Sequence, residues 1–279
     1  MDMNHKISSL AAVVAALSAT TAFAQGRDTS QDFNGVYIGG VAGYSAQAND
    51  GAETLTFDTN RDGTYGDTVR NIAGADAFSP GFCGGAATGT GNVDCRNDKD
   101  DVEYSARIGV DRRMGNFVIG ALIEGGRTEA TDSVSGFSTT PASYTITRSA
   151  DYTAGARLRA GYTPGGGILF YGTGGLAYAR LDNRFATSNT ANSFADNGKT
   201  NAWGYAVGGG AEAMVTRNIS LGLEYLYTDL KDKDYTVSVG QGTAPATNPF
   251  LLNGGGTDIR RSNPNFRYHG LRATMNLRF

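Results

Sequence analysis

The segment Asp58-Thr59-Asn60-Arg61-Asp62-Gly63 places side-chain oxygens at alternate positions and a glycine where the chain must turn sharply, the opening half of a calcium-binding loop. The twelfth position of such a loop needs a bidentate glutamate, and here it is Val69, so a complete EF-hand is excluded. With Asp67 as a substitute, Asp58, Asn60, Asp62 and Asp67 would make a weak calcium site of the extracellular kind. An ordinary solvated Asx-rich turn accounts for the same residues. The run Asn97-Asp98-Lys99-Asp100-Asp101 could also meet cations, although such runs are commonly hydrated loop.

Nucleophilic and redox chemistry are poorly served. Downstream of the first 24 residues the single histidine is His269, with no triad partner at a recognisable position, so no enzyme is expected. Gly208-Gly209-Gly210 has no following Lys-Ser/Thr and is not a phosphate loop. Cys83 and Cys95 lack the spacing of a redox or zinc motif. In an oxidising compartment they are expected to form a disulfide worth about 2–3 kcal/mol. Net charge is −3 and the cations are dispersed, which argues against nucleic acid as a partner.

Export is written at the start. Lys6 precedes an apolar stretch from Ile7 to Leu17, and Ala22-Phe23-Ala24 has small residues where a signal peptidase reads, so 1–24 is expected to be removed. A short segment, 25–34, would then lead into one domain spanning 35–279. No run downstream approaches the ~20 apolar residues of a membrane-spanning helix, and mean hydropathy is −0.30.

The elements that would position these groups repeat with period two. In Asp151 to Tyr162 one face carries Tyr152, Ala154, Ala156, Leu158, Ala160 and Tyr162, and the other Asp151, Thr153, Gly155, Arg157, Arg159 and Gly161. The same alternation predicts eight strands, near 35–48, 102–112, 116–127, 150–163, 168–181, 200–214, 219–230 and 266–279. Each is long enough to cross a bilayer when tilted. Three connections are short; the others, roughly 49–101, 128–149, 182–199 and 231–265, are long and polar. An all-β, eight-stranded antiparallel transmembrane barrel with short periplasmic turns and four long extracellular loops fits this pattern.

A soluble sandwich would also alternate, but it would not put ionised groups on one face of nearly every strand. Glu103, Arg107, Asp111, Glu124, Asp151, Arg157, Arg159, Glu212, Glu224, Arg272 and Arg278 fall on that face, five positive and six negative. Inside so narrow a barrel they would form a packed ionic plug, with glycines making room for the arginines. The opposite face carries Tyr44, Tyr152, Tyr162, Trp203, Tyr225, Tyr227 and Phe279, suited to the two membrane–water interfaces.

Gly35 to Tyr44, Arg157 to Tyr162, Tyr171 to Tyr178, Trp203 to Glu212 and Leu223 to Tyr227 resemble the porin-like outer-membrane surface proteins of alphaproteobacteria, small barrels related in architecture to the OmpA transmembrane domain. The terminal Leu277-Arg278-Phe279 is similar to the aromatic signal read by the barrel assembly machinery. The resemblance implies an outer-membrane location, with membrane lipid and lipopolysaccharide as neighbours and a monomeric state. It leaves three functions open: a structural, surface-exposed barrel; a narrow porin; or a receptor or adhesin whose loops bind haem or a host molecule, for which Tyr65, Tyr144 and His269 are the available ligands.

Overall fold

The computed structural model describes residues 32–47, 51–85 and 95–279. The export segment 1–24 and most of 25–34 lie outside them. The strands are β1 (Gly35–Gln47), β2 (Leu55–Asp58), β3 (Gly81–Gly84), β4 (Asp101–Met114), β5 (Phe117–Thr128), β6 (Thr131–Ser138), β7 (Ala142–Tyr162), β8 (Ile168–Thr187), β9 (Ser193–Asp196), β10 (Lys199–Met214), β11 (Ile219–Lys231), β12 (Val237–Gly240), β13 (Thr257–Arg261) and β14 (Asn265–Arg278).

Eight of them pair in the order β7-β5-β4-β1-β14-β11-β10-β8, and β8 returns to β7, so the sheet closes with every pairing antiparallel. The first and last barrel strands meet with Tyr37 opposite Arg278 and Val41 opposite Thr274. Closure removes the edges, so no barrel strand is left with a row of unpaired backbone groups facing lipid.

Alternation sorts the side chains as the sequence predicts. On β10, Thr200, Ala202, Ala206 and Glu212 are buried, whereas Trp203, Tyr205 and Val207 face outward. The outer wall is apolar, with Ile38, Ile108, Val110, Ile123, Leu158, Leu176 and Met275 all exposed. Aromatic residues bound it, Phe117, Tyr162, Phe170 and Phe279 at one end and Tyr44, Tyr104, Tyr152, Trp203 and Tyr225 at the other. The ten residue steps from Tyr152 to Tyr162 on a strand tilted by about 40° rise roughly 25 Å, the height of an outer-membrane apolar band.

Two strands are much longer than the bilayer requires. β7 has 21 residues and β8 has 20, where the sequence predicted 150–163 and 168–181. The stretches that suggested loop, Tyr144 to Ser149 and Asp182 to Thr187, are paired with one another above the membrane. They carry a folded cap. β6 folds back on the upper half of β7, β3 adds to its edge, and β2-β13-β12-β9 form a separate four-stranded sheet.

The connections expected to be long and polar therefore contain a second apolar core. Phe57, Phe78, Val134, Tyr144, Ile146, Val237, Val239, Phe250 and Ile259 are all buried in it. Phe78 is central, its ring centroid 4.5 Å from Phe57, 5.2 Å from Tyr144 and 5.8 Å from Phe250. The predicted disulfide is present, joining Cys83 to Cys95 with their Cα atoms 6.1 Å apart.

Because the cap has its own core, Phe78→Ala should destabilise it by about 3–5 kcal/mol while leaving the barrel closed. Hydrogen exchange read by mass spectrometry should show lost protection in β12 and β13 and unchanged protection in β4, β5 and β14.

Candidate functional site: the closed lumen and its cap

Inward positions near the periplasmic end bring Asp111 (β4), Arg159 (β7), Glu212 (β10) and Arg278 (β14) together. Arg159 donates to Asp111 through Nε at 2.7 Å and also through Nη2, while its Nη1 reaches Glu212 at 2.9 Å. Arg278 bridges the same two carboxylates at 2.8 and 2.6 Å. Glu212 also accepts from the Ser220 hydroxyl at 2.5 Å and the Asn276 amide at 3.1 Å.

One tier higher, Glu224 accepts from Arg157 at 3.2 Å and from the Tyr171 hydroxyl at 2.9 Å. Its carboxylate lies 3.6 Å from Arg107 and 3.4 Å from Arg272. Glu124 accepts from Arg157 at 2.9 Å and from Arg272, and Glu103 sits 3.8 Å from Arg272. Asn276 ties the tiers together, its carbonyl oxygen accepting from Arg107 at 2.9 Å while its amide donates to Glu212.

Ten of the eleven residues predicted for the lumen thus converge, five arginines against five carboxylates. Asp151 is the exception. Register shifts between Ala150 and Tyr152, so Asp151 is the extra residue of a bulge and turns to the outer rim, where it pairs with Lys199 at 2.6 Å. Its departure leaves the plug formally neutral.

Residues that the sequence did not single out complete the closure. The Tyr37 ring lies under Arg159 at 4.9 Å and Arg278 at 4.8 Å, and Tyr171 faces Arg159 at 5.1 Å, so rings fill the space between guanidinium planes. Gly109 and Gly120 are required by close approach, since a Cβ would strike the Tyr37 ring at one and the Asp111 carboxylate at the other. Phe33, just before β1, is fully buried at the periplasmic mouth beneath Arg278 despite a φ of 59°.

Above the plug, Leu226, Leu230, Phe266 and Tyr268 fill the upper lumen. Between plug and apolar layer lies a cavity of about 50 Å³ lined by Glu103, Arg157 and Arg272, room for a few waters.

A second buried ionic knot fixes the cap to the barrel. Arg261 meets Glu53 at 2.6 Å and also contacts Asp132, and Arg148 reaches Asp132 at 2.7 Å. Arg148 donates further to the carbonyls of Asn263 and Asn265, at 3.3 and 2.5 Å. Three of the four long connections are joined by these contacts. Burial works to raise the Asp132 carboxyl, but Arg148 and Arg261 outweigh it and hold the group below the ordinary range. In Glu53 burial outweighs Arg261, and its carboxyl is raised.

The expected calcium ligands are not brought together. Asp58 accepts from the amides of Asp62 and Gly63 at 3.2 and 2.8 Å, and Asp62 from Thr64 at 2.7 Å. Asp67 accepts from the Thr59 amide at 2.9 Å. These oxygens stabilise an Asx-rich turn, and no group of three metal-ligating side chains occurs among the described residues.

Nor do the haem-ligand candidates converge: Tyr144 is buried in the cap core and Tyr65 lies under Arg260 at 4.3 Å. His269 is on the outer wall, its Nδ1 2.6 Å from the Tyr225 hydroxyl.

An edgeless eight-stranded antiparallel barrel with an apolar wall and a polar interior is the architecture of small bacterial outer-membrane proteins. The chain belongs to the outer membrane protein beta-barrel domain family, whose model matches residues 9–279. It is 47% identical over 73 residues to a 22 kDa outer membrane protein of Rhizobium leguminosarum bv. viciae, a match covering 26% of this chain and 31% of the relative. It is 43% identical over 75 residues to a 31 kDa outer-membrane immunogenic protein of Brucella melitensis biotype 1, again 26% of this chain and 31% of the relative. Under a third of either relative's length is therefore spanned. Among solved structures, the outer membrane protein OprG from Pseudomonas aeruginosa shares the fold at a TM-score of 0.50 and 14% identity, covering 89% of this chain and 99% of that one.

Asp98 gives the cap a pH dependence. Burial, then repulsion from Asp132, pushes its carboxyl up to about 7, although it accepts from the Ser133 amide at 2.8 Å. The folded cap therefore binds a proton that the unfolded chain, with an ordinary aspartate, releases near pH 4. This stabilisation is complete below pH 4 and is lost as pH rises through 7. Protection of β6, corrected for intrinsic exchange, should fall between pH 5 and pH 8 in the wild type and hold steady in Asp98→Asn.

Proposed function

We propose that this outer-membrane barrel is a non-conducting, non-catalytic scaffold whose working surface is the rigid cap it displays outside the cell. The observation that carries this reading is the plug. Five arginines and five carboxylates, joined across all but two of the barrel strands, fill a lumen just wide enough for side chains.

Removing one member leaves an opposite charge buried without a partner, which costs about 3–5 kcal/mol, so the plug does not part easily to admit a solute. The position of His269 on the lipid-facing wall supports a non-catalytic role. The name of the Brucella relative records that such a protein is immunogenic, which suits a folded cap presented to the exterior. The exposed Phe279, in phase with Leu277 and Met275 on the outer face of β14, serves in this reading as the signal to the assembly machinery.

Planar-bilayer recording tests the proposal. The purified wild type should give no steady unitary conductance. Reproducible channels in the wild type, changed in size by Arg157→Ala or Glu212→Ala, would replace the scaffold with a narrow porin.

A further inference from the structure

The outer rim is not uniform in charge. Most cations there are matched, Arg127 by Glu129 at 2.8 Å, Arg267 by Asp229 at 3.1 Å, Arg184 by Asp182 at 3.0 Å and Lys199 by Asp151 at 2.6 Å. Arg180 and Lys231 differ, since among the described residues neither has a carboxylate within ion-pairing distance.

Both lie at one place on the aromatic girdle. Arg180 stands opposite Tyr152 on β7 and Asn201 on β10, two residues above Tyr178 on the outer face of β8. Lys231 stands opposite Trp203. The rings form a continuous patch, with centroids 6.0 Å apart for Tyr152 and Tyr178 and 4.8 Å apart for Tyr178 and Trp203. Trp203 is 63% exposed and Tyr152 49%.

Asn201 organises the patch. Its carbonyl oxygen accepts from the Arg180 guanidinium at 2.9 Å and from the Tyr178 hydroxyl at 2.8 Å, so cation and ring are held side by side; Asp151 feels the Arg180 charge but is ion-paired to Lys199 instead.

We propose that this patch is a binding site for the phosphorylated headgroup of an outer-leaflet glycolipid, with Arg180 and Lys231 meeting phosphates and Tyr152, Tyr178 and Trp203 lying against the sugar and upper acyl region. The site faces lipid at the height where headgroups begin, and tyrosine and tryptophan suit a surface apolar on one side and hydrated on the other. Arg180 and Lys231 are separated by one intervening strand and, standing opposite Asn201 and Trp203, by two residues along it, which sets their backbones about 12 Å apart. That span fits a disaccharide carrying phosphate at both ends, and guanidinium suits a phosphate bidentately. Loops alone would not supply this register, because all five residues sit on barrel strands.

The test is native mass spectrometry of the purified protein in detergent, titrated with bisphosphorylated lipid A. Wild type should retain bound lipid A, and Arg180→Ala/Lys231→Ala should weaken it about 30-fold, two charges each contributing the roughly fivefold of a basic residue at an anionic surface. Arg180→Lys, which keeps the charge but loses the bidentate fork, should bind between wild type and the double variant, and Arg217→Ala, at a periplasmic turn, should change nothing. Matching near-ultraviolet circular dichroism would show that the double variant is folded. Equal binding by wild type and double variant, or no binding by wild type, would overturn the proposal. Displacement of lipid A by millimolar inorganic phosphate would also overturn it, by assigning the site to a free anion; resistance to phosphate together with weak binding of phosphatidylcholine supports the glycolipid.

Discussion

Arg159 is shared between Asp111 and Glu212, and Arg278 spans the same two carboxylates from the far side of the barrel. Charges taken from water into a narrow lumen are tolerated only when each is paired and hydrogen-bonded, so this four-residue cycle constrains what surrounds it. Gly109 and Gly120 follow from the room that Tyr37 and Asp111 need, and Ser220 and Asn276 from the lone pairs of Glu212. An apolar lumen would hold a barrel closed with less desolvation. What the ionic plug adds is a fixed network, since slipping one strand by a residue would turn its charged side chains into lipid.

The cap repeats that logic in water. An apolar core around Phe78 gives it cohesion, and the Glu53–Arg261–Asp132–Arg148 knot sets its position on the extended β7. From periplasm to exterior the interior thus alternates, an ionic plug, an apolar layer at Leu226, Leu230 and Phe266, an ionic knot, and an apolar cap. The ionic layers specify register and the apolar layers supply cohesion. A surface built this way is presented as one body rather than as four independent loops.

The barrel was legible because period two, length and the alternation of short and long connections all follow from crossing a bilayer, which acts on every strand alike. The lumen was legible for the same reason, since inward phase alone identified ten residues that now touch. Asp151 was misplaced because a single bulge inverts phase and leaves no mark in composition. The cap was missed because its core is assembled from short pieces far apart in sequence, Leu55-Thr56-Phe57, Tyr144-Thr145-Ile146 and Val237-Ser238-Val239. Each is apolar at alternate positions, a signal that was present but too brief to separate from loop. At Asp58–Asp62 the sequence left a ligand set and an Asx-rich turn both open, because the same spacing of side-chain oxygens serves either, and in the structure those oxygens accept from the amides of the turn.

A double-mutant cycle on Arg159→Met and Glu212→Met, measured by urea unfolding in lipid vesicles, tests most directly whether the plug is one coupled unit. The single variants should each lose about 3–5 kcal/mol, and the double variant should lose far less than their sum, a coupling of roughly 3 kcal/mol from a buried pair. Losses that add to within about 0.5 kcal/mol would mean that the two charges do not depend on each other and that the lumen is not one coupled plug.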